Sequence, residues 1–241
     1  MGREMCPDCG APVQPIPIPD GGKLRFGAYD WYVLDKREDR MLVLSEKVIE
    51  KRAYHGRETE ITWETCDLRR YLNGAFYQSF DTADRARILE VRNDNPANPW
   101  YGADGGAATE DRIFLLSIEE VVRYFGDSGQ LATRNRNPGW DWCKDEYMPW
   151  LDDRYNLARR AVDEEGVVWF WRLRSPGANR RFVAAVTGFC ADGFDQGGID
   201  MGGCGAFTEG HFHFDGSGCL SSCPPGIHNL NGVRPALWLR L

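Results

Sequence analysis

From position 24 the pattern of apolar and polar positions reads first as strand. Leu24 to Asp35 carries Phe26, Tyr29, Trp31, Tyr32 and Val33, and Arg40 to Leu44 supplies a partner, with a hairpin expected across Lys36 to Asp39. At Asp67 the period lengthens: Leu68, Tyr71, Leu72 and Phe76 recur at three- and four-residue steps behind Thr65, which predicts a helix over about 66–78. A second helix is expected over 81–89 with Asp81 as its cap, followed by a long polar loop over 92–111. Ile113 to Leu116 is an apolar, strand-like run. Ser117 and Glu120 then form a capping box for a helix that carries Val121, Val122 and Phe125. A helix is expected at 152–162, strands at Val167 to Leu173 and Phe182 to Phe189 around a break at Ser175-Pro176-Gly177, and a terminal apolar strand at Val233 to Leu241. No internal repeat is visible.

Two stretches stand apart in composition. Residues 1–20 hold Cys6-Pro7-Asp8-Cys9-Gly10 followed by Pro12, Pro15, Pro17 and Pro19, a knuckle with a stiff linker. Residues 188–232 hold 12 of the 27 glycines, half of the eight cysteines and three of the four histidines. The expected organisation is therefore a short tail over 1–20 and one domain over 21–241.

Charge and hydropathy narrow the partners. A net charge of −7 weighs against nucleic acid. The longest uncharged run, 216–233, is too rich in Gly, Pro and Ser to span a membrane. Arg3, Glu4 and Asp8 occupy the place of a signal peptide's apolar stretch, and Cys6 replaces the Ser or Thr of a myristoylation signal, so a soluble cytoplasmic protein is expected. Free thiols or metal ligands then fit the cysteines better than a disulfide framework.

Six motifs occur in one order: Phe26-Gly27 with Tyr29-Asp30-Trp31 and Val33-Leu34; Ile61-Thr62-Trp63-Glu64; Leu68-Arg69-Arg70-Tyr71-Leu72-Asn73-Gly74; Thr109 to Ser117; Leu173-Arg174-Ser175-Pro176-Gly177; and Gly232-Val233-Arg234-Pro235-Ala236-Leu237-Trp238. Together they resemble a bacterial domain of unknown function, often preceded by a zinc-ribbon-like knuckle. That domain is similar to the C-type-lectin-like fold of formylglycine-generating enzymes and of variable proteins diversified by retroelements. The resemblance implies an α+β, C-type-lectin-like domain. In the retroelement-variable proteins the stretch before the terminal strand is the displayed surface, which corresponds here to about 179–231.

Several groups could carry chemistry. Arg174 and Arg234 offer guanidinium forks that either tie loops to the sheet or line a ligand groove and share one carboxylate or carbonyl cluster. Trp31, Trp63, Trp169 and Trp171 read as core, whereas Trp140, Trp142 and Trp150, set in polar chain, are surface candidates. Cys6 and Cys9 have the spacing for two ligands of a tetrahedral zinc. Cys204, Cys219 and Cys223, with His211, His213 and His228 interleaved, form the richest set of soft ligands, suited to a zinc site that orders the loop or, for the cysteines, to a disulfide. Asn93, Asp94, Asn95, Asn98, Asp104, Glu110 and Asp111 have the oxygen-rich composition calcium prefers, but turn formation is the stronger reading. His55 reads as a packing or surface residue, since no partner can be assigned. No phosphate loop, GxSxG elbow or HExxH helix is present.

The function expected is recognition: a module binding a protein or a small molecule, of the retroelement-variable type, with no nucleic acid or membrane partner, binding being preferred over catalysis. The alternatives are a metal-dependent oxidase related to formylglycine-generating enzymes, with Cys219 and Cys223 in a comparable late position, and a structural accessory domain.

Overall fold

A computed structural model describes residues 21–57, 59–133, 150–188, 197–205, 213–214, 220–221 and 232–241. The chain opens with strands β1 (Lys23–Phe26), β2 (Tyr29–Lys36), β3 (Arg40–Ser45) and β4 (Glu50–Lys51). Helix α1 (Asp67–Tyr71) runs into a π-helix (Leu72–Phe76), and α2 (Thr82–Arg87) leads to β5 (Ile88–Leu89), β6 (Val91–Asn93) and β7 (Thr109–Asp111). Helices α3 (Ile118–Phe125) and α4 (Gln130–Thr133) precede β8 (Trp150–Leu151) and α5 (Asn156–Arg159). The second half is strand: β9 (Trp171–Pro176), β10 (Phe182–Val186), β11 (Ile199–Gly205), β12 (His213–Phe214), β13 (Leu220–Ser221), β14 (Gly232–Val233) and β15 (Ala236–Arg240).

Two sheets carry the architecture, in the orders β1-β2-β3-β15-β5 and β4-β14-β9-β10-β11-β8, with two-stranded pairs β12-β13 and β6-β7 beside them. The mixture of helices and mainly antiparallel sheet is α+β, as the resemblance implied. Strand β15 is central in its sheet, pairing Leu237 with Val43 and Trp238 with both Leu42 and Leu89. Burial on both faces explains its unbroken run Ala236-Leu237-Trp238-Leu239 where a half-exposed strand would alternate. The chain changes sheets at Arg234-Pro235, where Pro235 O accepts from Ser45 N and so keeps β15 beside β3.

One contiguous core joins both sheets. Trp31, Trp63 and Trp171 lie fully inside it, while Trp169 is half-buried with Lys51 Nζ 3.5 Å from its ring centroid. Helix α3 has the expected capping box, with Ser117 Oγ accepting from Glu120 N and Glu120 Oε2 accepting from Ser117 N. It stops at Gly126, whose φ of 96° favours glycine and where an added Cβ would lie 2.4 Å from the Tyr155 ring.

Elsewhere tertiary partners redraw the expected elements. The helix expected over 66–78 widens into a π turn because Asn73 Nδ2 donates to Arg69 O, the carbonyl that an α-helical amide four residues on would use. The helix expected to reach 89 ends at Arg87, since Ile88 and Leu89 pair with β15. Ile113 to Leu116 is fully buried but forms only a bridge at Phe114 with Ala236. Its other carbonyls go elsewhere: Ile113 O accepts from Asn73, Leu115 O from Arg174 and Leu116 O from the Arg174 amide. The predicted break at Ser175 falls later, because β9 continues to Pro176, and the helix expected at 152–162 is reduced to α5. The polar loop over 92–111 is closed by pairing of its ends, β6 with β7.

Candidate functional site

Motif residues and the loop between β6 and β7 meet in buried polar hubs. The first is Asp111, whose side chain is fully buried. Its carboxylate accepts from Arg69 Nε at 2.6 Å, Thr109 Oγ1 at 2.7 Å, Trp63 Nε1 at 3.0 Å and Asn93 Nδ2 at 3.1 Å. Asn73 joins from the π-helix, with its Oδ1 accepting from the Arg112 and Ile113 amides. Buried carboxylates are tolerated when paired and saturated with donors, and here Trp63, Arg69 and Thr109 come from three separate motifs and Asn93 from β6.

Asn98, 1 % exposed, is the second hub. Its Nδ2 donates to Pro176 O at 2.9 Å and Met201 O at 2.8 Å, and its Oδ1 accepts from the Trp100 and Tyr101 amides. The side-chain amide thus uses both donors and both acceptor positions, and it ties the loop between β6 and β7 to the last residue of β9 and to Met201 within β11. The strands it clamps already approach closely, since a Cβ on Gly177 would lie 2.2 Å from Gly202 O.

Arg174 and Arg234 are both buried, and each has its own acceptors. Arg174 donates to Leu115 O at 2.8 Å, Asp94 O at 3.2 Å and the Glu120 carboxylate, so it joins the first loop to α3. Arg234 donates from Nε to Ser45 O at 2.9 Å and from Nη2 to Glu46 O at 3.3 Å. Its Nη1 meets no partner among the described residues. The rings of Trp171, Phe125 and Tyr32 surround the guanidinium at 4.8, 5.7 and 5.8 Å, which supports a cation that no carboxylate among the described residues bonds. Burial lowers its pKa to about 10, with Tyr32 and Glu46 opposing the shift. The shared carboxylate or carbonyl cluster imagined between the two arginines is therefore not what the structure places there. They act at two separate seams.

The oxygen-rich stretch is similarly engaged: besides Asp111 and Asn98, Asp104 Oδ1 accepts from Gly106 N, and its carboxylate pairs with Arg180. His55 has a neighbour in Asp67, whose Oδ2 lies 2.8 Å from its Nδ1, an ion pair when the ring is protonated although the geometry makes no hydrogen bond. Cys66 caps α1 by accepting from Arg69 N, and burial pushes its thiol up to about 12, so it is a packed thiol and not a nucleophile at neutral pH.

An open depression of about 590 Å³ lies beside α1 and the π-helix, lined by Glu64, Cys66, Arg69, Arg70, Asn73 and Gly74. Its cations are committed: Arg69 also donates to Glu64 O and Glu110 O, and Arg70 donates to Asp67 Oδ1 and Thr65 O.

Of the metal candidates, Cys204 lies on β11 opposite Val183, and His213 lies on β12 opposite Ser221. In the sequence Cys219 immediately precedes β13, Cys223 follows it by two residues, and His211 precedes His213 by two. Cys6, Cys9, His211, Cys219, Cys223, Trp140 and Trp142 lie outside the described residues. Among the described residues no three His, Cys, Asp or Glu side chains gather as a metal site, and no helix is long and apolar enough to cross a membrane.

Sequence reasoning undervalued Asp111, Asn98, Asn73 and Glu120. A usable signal was present for the first and third, because both fall inside motifs. Asn98 lies in plain loop composition, and nothing local distinguishes it from a turn former.

An α+β domain whose motif residues serve as internal ties is thus the class that fold and site define. The chain belongs to the family described as a domain of unknown function, DUF6273, which matches residues 38–241. Strands β1 and β2 precede the matched region although Trp31, Tyr32 and Val33 are core residues. No curated protein and no solved structure matches the chain.

Proposed function

We propose that this protein is a recognition module on a C-type-lectin-like scaffold. Its binding surface is carried by the glycine-, cysteine- and histidine-rich chain between β10 and β15, together with the segment that holds Trp140 and Trp142. The observation that supports this reading is the state of the motif side chains. Asp111, Arg69, Arg174 and Arg234 bond to the protein's own groups, whereas a catalytic acid, base or anion clamp has to reach a substrate. Motif residues spent on the frame leave function to the loops that the frame holds.

Residues 1–20 form a tail and 21–241 the binding domain. The ligand is a protein or a small molecule. A net charge of −7 disfavours the phosphate backbone of nucleic acid, and the working compartment is the cytosol. Cys204, Cys219, Cys223, His211 and His213 supply soft ligands for a zinc ion that orders the late loop, with Cys6 and Cys9 as a second, incomplete site.

The test is elemental analysis with a thiol count on tag-free protein purified under reducing conditions, comparing the full chain with one lacking residues 1–20. Zinc that survives the truncation supports the late-loop site, and zinc lost with the tail assigns it to Cys6 and Cys9. Stoichiometric redox-active copper, with oxygen uptake abolished by Cys219→Ser and by Cys223→Ser, would overturn the recognition reading in favour of an oxidase.

A further inference from the structure

We draw no further inference here: the strongest candidate, the open depression beside the short helix α1 and the π-helix, lined by Glu64, Arg69, Arg70 and Asn73, has its guanidinium and amide donors committed to carboxylates and carbonyls of the chain itself, and nothing in the structure shows what would fill it.

Discussion

Replacing Asp111 by alanine removes the acceptor on which Trp63, Arg69, Asn93 and Thr109 converge. Breaking a buried ion pair by deleting one partner costs roughly 3–5 kcal/mol, and each neutral donor left buried adds about 1–3 kcal/mol. The sum overstates the effect. Arg69 keeps its bonds to Glu64 O and Glu110 O, its side chain is 25 % exposed and able to rehydrate, and the carboxylate no longer has to be desolvated. A net loss of about 4 kcal/mol follows, equivalent to a fall in Tm of about 8–16 °C for a chain of this size. Urea unfolding followed by far-UV circular dichroism and by tryptophan fluorescence would measure it, with coincident transitions licensing a two-state fit. Asp111→Asn preserves volume but brings two new donors into a ring of donors, so it should lose nearly as much. Combining Asp111→Ala with Arg69→Met should give a coupling energy of about 1–3 kcal/mol. A loss below about 1 kcal/mol, or strict additivity with Arg69→Met, would refute the view that this hub ties the motifs together.

Three other outcomes are expected. A chain cut to the matched region, 38–241, should fail to give a cooperative melt while 21–241 gives one, because the cut removes β2 and with it Trp31, Tyr32 and Val33; a cooperative melt of 38–241 would show that the hairpin is dispensable. Stability should drop as the pH falls below about 4: burial alone would raise Asp153, but the Ser128 and Tyr155 amides and Arg159 outweigh it and hold Asp153 below its ordinary 3.8. Its contribution is therefore complete above the unfolded value and lost as pH falls through the folded one, so Asp153→Asn should flatten that part of a urea-midpoint profile, and an unchanged profile would contradict the assignment. In native protein at pH 8, iodoacetamide should leave Cys66 unmodified by mass spectrometry until denaturant is added, since its thiol is buried and pushed up to about 12; rapid native labelling would contradict that burial.

The patterns most legible in the sequence were those set by local chemistry. Ser117 and Glu120 announce the start of α3 because a capping box needs only four neighbouring residues, and the strand character of 24–35 and 40–44 follows from their aromatic and β-branched content, although a turn at Gly27, with φ of 56°, divides the first run into the antiparallel pair β1 and β2. The buried state of Trp31, Trp63 and Trp171 was also legible, since large aromatics are stable chiefly where they bury area. Elements at 88–89 and 113–116 were misread for one reason. Their backbones are claimed by partners far along the chain, β15 for Ile88 and Leu89, and Asn73 and Arg174 for the run that follows Arg112.

By itself, then, the sequence determined the α+β character, the family signature and a set of residues with the right chemistry to be ties or ligands. Only the tertiary structure decided which of those they are. It gave Arg174 and Arg234 separate carbonyls, drew Trp63, Arg69, Asn73 and Asn93 around Asp111, and made Asn98 a clamp between β9 and β11. The physical reason is that a buried polar group must find a partner or lose its hydration uncompensated, and the partner is chosen by proximity in space, which spacing along the chain does not encode.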